Sequence, residues 1–292
     1  MFTVPIFSGL RLASILVVFV LWRSLSLPNY VAVYFSIVMG HYLLALLFSG
    51  KQIRQVLGQT ASRPPFAALL SVTGLLVFFV KPSIDVYFGL HHALNEAYAT
   101  NTFSGDSQKR WDRLDVSRFF FNLFTYYVIA RSNLSISNVF PAWFLAAGWA
   151  VSLVLMAYFL FRARSSMERS RFLDYVLMEA LALVLVGLSL QYKFETHYVM
   201  MYHFIFWILF PALKTAMRGA GPSHLAYFAW TAVVTGAFSC LFTWLWGRPF
   251  MVGLTYPQMV TQVALWGYVH ITLSLALSSA NPRWIRRVFA SG

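Results

Sequence analysis

Residues 140–162 read FPAWFLAAGWAVSLVLMAYFLFR, and no charge interrupts them before Arg162. A run of about 20 apolar residues rises roughly 30 Å as a helix, the thickness of a bilayer's hydrocarbon core. Similar runs recur on both sides of it. They lie at 4–22, 28–50, 66–80, 84–100 and 117–131 before it, and at 173–191, 195–213, 224–246 and 259–280 after it.

Composition agrees with that pattern. Of 292 residues, 59% are hydrophobic and 11% charged, with a mean hydropathy of +0.66. Soluble domains carry about a quarter charged residues, and this chain has too little polar surface to cover a water-soluble globule. The expectation is an all-α polytopic transmembrane bundle forming one domain over 1–292. Ten crossings are preferred, and eight are the alternative because 66–80 and 117–131 are short. Connections are brief and marked by Pro28, Pro64, Pro65, Pro82, Pro141, Gly219, Gly221, Pro222 and Pro282. No soluble domain, internal repeat or low-complexity tract interrupts them. The first helix reads as retained, since no basic stretch precedes it.

The net charge is +13, from 22 Lys+Arg and 9 Asp+Glu. The basic residues are scattered between apolar runs, with no face suited to tracking phosphates, so nucleic acid is not an expected partner. Counted by alternate loops, sixteen fall on one side: Lys51, Arg54, Arg63, Lys109, Arg110, Arg113, Arg118, Arg162, Arg164, Arg169, Arg171, Lys214, Arg218, Arg283, Arg286 and Arg287. Five fall on the other: Arg23, Lys81, Arg131, Lys193 and Arg248, with Arg11 left inside the first run. The asymmetry places both termini in the cytoplasm. The Asn133-Leu134-Ser135 sequon then lies outside, and Pro282–Phe289 reads as an interfacial anchor on the inner leaflet. The alternating charges around Asp106, Asp112 and Asp115 read as a solvated loop. Cys240 is the single cysteine, which excludes an internal disulfide and any Cys-based metal site.

Polar residues inside apolar runs are the informative ones, because each costs a few kcal/mol near the bilayer centre unless it is paired. His41 lies in the second run; His91, His92, Asn95 and Glu96 in the fourth; Glu179 in the seventh; Glu195, His197 and His203 in the eighth; His270 in the tenth. Only His224 among the seven histidines sits beside a loop. Counting residues from the run ends puts His41 roughly 14 Å deep, His92 and His203 roughly 12 Å, and His270 roughly 16 Å. All four are near the midplane of a core about 30 Å thick.

His92 and Glu96 are i, i+4 and share a helix face, as do His91 and Asn95. An imidazole with a carboxylate one turn away suits a metal ligand or a histidine oriented by its carboxylate. His197 and His203 are six apart, on different faces of a regular helix, so His197 is a reserve. The expected site is a metal centre with His41, His92, His203 and His270 as ligands, His197 in reserve, and Glu96 and His91 as catalytic or supporting groups. Mixed His/carboxylate sets suit non-haem iron, favoured here over zinc. Aromatic runs such as Phe119-Phe120-Phe121 and Phe124-Thr125-Tyr126-Tyr127 read as lipid-facing belts or, alternatively, as the lining of a tunnel for a long apolar substrate.

The order of the histidines resembles the bacteriorhodopsin-related-protein family of integral-membrane β-carotene dioxygenases. In that family transmembrane histidines hold iron, one early, one about fifty residues later, and a close pair about a hundred beyond. His41, His91 or His92, and the pair His197 and His203 follow that order. The Pro-His-Gly and Asp-containing motifs of the family are absent, and the pair is spaced by six rather than four. The resemblance implies an iron oxygenase or hydroxylase acting on a lipid or isoprenoid. Its partners would be membrane lipids, a hydrophobic small-molecule substrate and an electron donor. A zinc-dependent membrane hydrolase is one alternative, and a proton-coupled transporter with a His/Glu relay is another.

Overall fold

The computed structural model describes residues 5–26, 29–38, 41, 84–103, 111–132, 134–194 and 196–217, with isolated positions between 226 and 274. The expectations for 66–80, Glu195, His224 and the 282–289 anchor lie outside the described residues, as do most of 224–246 and 259–280 and the sequon's Asn133.

Among the described residues all regular structure is helical, with no strand. The helices are α1 (Pro5–Ser24), α2 (Asn29–Val38), α3 (Ile84–Phe103), α4 (Arg113–Ile129), α5 (Leu134–Ser137), α6 (Ala142–Ala163), α7 (Arg169–Gln191) and α8 (Thr196–Met217). α6 and α7 are long and apolar enough to cross a membrane. The chain forms two compact units: Met1–Ser8, Gly58–Thr196 and Ile271–Gly292 make one, and Gly9–Leu57 with His197–His270 the other.

In the first unit α4 is central and packs on α6, α3 and α7. It begins a turn earlier than the apolar run at 117–131, and a capping box explains why. The Asp112 carboxylate accepts from the Asp115 backbone N–H at 2.9 Å, and the Asp115 carboxylate accepts from the Asp112 N–H at 3.1 Å. Two N-terminal donors that a helix leaves unpaired are thereby satisfied. The solvated-loop reading is therefore corrected for Asp115, which is helical and only 2% exposed, while Asp112 is exposed ahead of the helix and Asp106 lies outside the described residues.

Leu114 and Phe121 of α4 pack with Met156 and Leu160 of α6 and Tyr175, Met178 and Ala182 of α7. The Trp149 indole N–H donates to Thr125 at 3.0 Å. α6 runs antiparallel to α4, for Phe124 meets Phe144 near one end while Leu114 and Leu160 share the cluster near the other. α7 runs parallel to α4. Asp115 pairs with Arg171, Arg118 with Asp174, and at the far end Arg131 donates to the Ser189 hydroxyl (2.9 Å) and carbonyl (2.6 Å). The start of α4, the end of α6 and the start of α7 thus share one end. Of the aromatics on α4, Phe119, Phe121, Tyr126 and Tyr127 are buried in packing, Phe124 is half-buried and Phe120 is exposed, which replaces the belt reading for most of the run.

The second unit has its own core, in which Val18 of α1 and Tyr30, Ile37 and Val38 of α2 meet Met201, Phe204 and Ile205 of α8. Tyr34 donates to the Met200 thioether at 3.2 Å.

Candidate functional site: an imidazole cluster

Three of the histidines come together in the second unit. His41 follows α2, His203 lies in the second turn of α8, and His270 comes from the distant tenth run. The Nε2 atoms of His41 and His270 are 3.2 Å apart, with ring centroids at 4.8 Å and planes at 72°. His203, 1% exposed, places its ring 6.0 Å from that of His41 at 75°. Apolar surfaces frame them: Phe204 lies 5.1 Å from the His41 ring, and Trp207 lies 6.3 Å from the His203 ring.

Two imidazole nitrogens at 3.2 Å admit two chemistries. One ring can donate N–H to the bare nitrogen of the other, which requires that the tautomers differ. Alternatively, both lone pairs can face one ion. Ligands held at about 2.0–2.1 Å with tetrahedral angles stand about 3.3 Å apart, so the observed separation is compatible with a shared ion. The His203 ring stands beside the pair. Among the described residues no group of three or more His, Cys, Asp and Glu is arranged to hold an ion together.

His197 stands apart in the first turn of α8, six residues or roughly 9 Å from His203 along the axis. It occupies an aromatic box of Tyr198 (4.2 Å between centroids), Tyr30 (5.7 Å), Trp22 (6.2 Å) and Tyr34 (6.2 Å). His91, His92 and Glu96 belong to the first unit, buried on α3. The Asn95 amide meets His91 Nε2 at 2.8 Å, realising the i, i+4 pair. His92 stacks on Phe88 at 6.0 Å and 11°, with Tyr126 also at 6.0 Å.

A second polar group escaped the reading of the sequence. In the first unit Arg118, 1% exposed, lies 3.9 Å from Asp174 and 4.5 Å over the Tyr175 ring, and donates to the Met178 sulfur at 3.0 Å. Asp174 also accepts from Ser8 at 3.0 Å, and Asp115 lies 4.0 Å from Arg171. The available signal was periodicity: Asp115 and Arg118 are i, i+3, as are Arg171 and Asp174, so each helix carries an acid and a base on one face.

No protein-family model, curated protein or solved structure matches the chain. Residue chemistry alone therefore carries the functional reading.

Proposed function

We propose that the protein is an integral-membrane metalloenzyme, an iron-dependent oxygenase or hydroxylase acting on a lipid or isoprenoid, with His41, His270 and His203 forming its centre. The observation that carries this reading is the 3.2 Å approach of the His41 and His270 Nε2 atoms beside the buried His203. His41 and His270 would hold the ion through Nε2, and His203 would complete the set by a small rotation about its side-chain torsions. Iron there would supply oxygen activation, with reducing equivalents from a partner electron donor. Phe204 and Trp207 would shield one side of the imidazoles and offer the flat apolar surface that an isoprenoid chain would lie along. Ten crossings with both termini in the cytoplasm remain part of this proposal, as does the loose resemblance to membrane carotenoid dioxygenases.

The same 3.2 Å separation favours one second reading, a proton relay in which His41 and His270 pass N–H across their hydrogen bond. Element-resolved metal analysis of the purified protein separates the two. The enzyme reading expects near-stoichiometric iron that falls at least 10-fold in His270→Ala, the usual scale for a lost ligand. Full-length folded protein without stoichiometric metal overturns it in favour of the relay.

A further inference from the structure

The first unit contains several buried polar atoms that the described residues do not satisfy. On α4 these are Nε and Nη1 of Arg118 and Nδ2 of Asn122; on α7 they are Nε of Arg171 and Oε1 of Glu179. Each is buried and has no hydrogen-bond partner among the described residues. Buried polar groups are almost always bonded, so such atoms mark places where water or an exchangeable proton completes the structure.

Register puts them on one seam. Contacts between the parallel helices α4 and α7 have offsets within about one turn of each other: Asp115 to Arg171 and Arg118 to Asp174 differ by 56, Arg131 to Ser189 by 58, and Arg118 to Met178 by 60. Asn122 and Glu179 differ by 57, inside that range, and so lie within about one turn of each other in height. Glu179 is one turn beyond Tyr175 and three residues before Ala182, both buried in the α4–α6–α7 core, so it sits beside the face that α7 turns inward. Ten residues separate it from Arg169 and twelve from Gln191, which places it roughly 15 Å and 18 Å from the two helix ends. A carboxyl midway along a helix apolar enough to span a membrane is costly as an anion without a partner.

Among the described residues, the charges on the helices around it do not neutralise it. α4 presents Asp115 and Arg118 one to two turns away, where Asp174 and Arg171 already pair with them. α7 itself adds Tyr175, and α6 offers only Tyr158 before Arg162, half exposed. Glu179 joins no ion pair or hydrogen bond with described residues.

We infer that Glu179 is a proton-binding site at the inner end of a hydrated seam between α4 and α7, with Asn122 and the spare donors of Arg118 holding the water that links it to the ion-paired helix ends. The ligand is a proton exchanged between this water and the carboxyl oxygen, so no other reactant is required. This inference does not depend on the histidine cluster or on a metal.

The test is infrared difference spectroscopy on the full-length protein in liposomes, comparing it with Glu179→Gln. A protonated carboxyl band present in the parent and absent in Glu179→Gln is expected, and it should shift within minutes of transfer to D₂O. As a second readout, dicyclohexylcarbodiimide enters apolar regions and reacts with protonated carboxyls. Peptide mapping should find it on Glu179, with labelling falling as pH rises, and not on the arginine-paired Asp115 or Asp174. Should Glu179→Gln fail to fold, labelling and exchange of the parent alone still decide. An ionised Glu179, or a protonated one whose exchange is as slow as that of core amides, overturns the proposal.

Discussion

Arg118 shows most directly what single residues contribute here. Its guanidinium is almost wholly removed from solvent, lies against the Tyr175 ring and faces Asp174. A buried pair of this kind adds little compared with an apolar substitute, because desolvation offsets the attraction. Breaking it is different, since the surviving charge has nowhere to go. Arg118→Ala should therefore destabilise the folded protein by about 3–5 kcal/mol, read as a shifted midpoint in detergent unfolding. Replacing Arg118 and Asp174 together by Met and Leu should recover most of that loss. A single variant as stable as the parent would show that the pair is not formed. Glu96 and His92 illustrate the opposite case. Their spacing was legible as a shared helix face, and Phe88 one turn before His92 was legible with it, yet the Tyr126 ring reaches His92 only through the packing of α4 on α3.

At the scale of elements, helix contacts are set by close approaches at small residues. A Cβ on Gly89 would stand 2.5 Å from the Tyr127 ring and 2.6 Å from that of Tyr126, and both rings are buried. Gly89→Ala should force α3 and α4 apart at about 1–3 kcal/mol, the usual cost of overpacking. Gly187 of α7 has no neighbour within 4 Å of its Cβ position. Gly187→Ala should be neutral or stabilising by up to about 1 kcal/mol through helix propensity. Thermal unfolding of both variants checks the contrast, and equal effects would refute the packing argument. The apolar runs located α1, α3, α4, α6, α7 and α8 to within about a turn at each end, because a run of that length has no other way to satisfy its backbone in an apolar medium, whereas the four-residue α5 lies in no run. The start of α4 was missed because its signal is a cap made by Asp112 and Asp115, which looks like loop charge when only hydropathy is followed.

For the whole molecule, the alternation of basic loops is the feature with the longest reach. The start of α4, the end of α6 and the start of α7 share one end, which gathers Arg113, Arg118, Arg162, Arg164, Arg169 and Arg171 there, while Arg131 and Lys193 lie at the other. Reporter fusions in the 164–168 connection and at Gly292 should both report the cytoplasmic side if the basic end follows the positive-inside rule. Opposite sidedness would refute the ten-crossing arrangement. The amino-acid sequence by itself determined the all-helical class, the positions of the described helices and the charge asymmetry. These depend on residue type and on distance along the chain, through backbone satisfaction and hydropathy. Only the tertiary structure decided which polar groups meet. It brought His41 to His270 across 229 positions, kept His197 in an aromatic box, placed His92 and Glu96 in the other unit, and set Arg118 against Asp174. Depth along a helix axis can be counted from a sequence, whereas the rotation of each helix about that axis and the choice of its neighbours are fixed by side-chain packing between segments far apart in the chain.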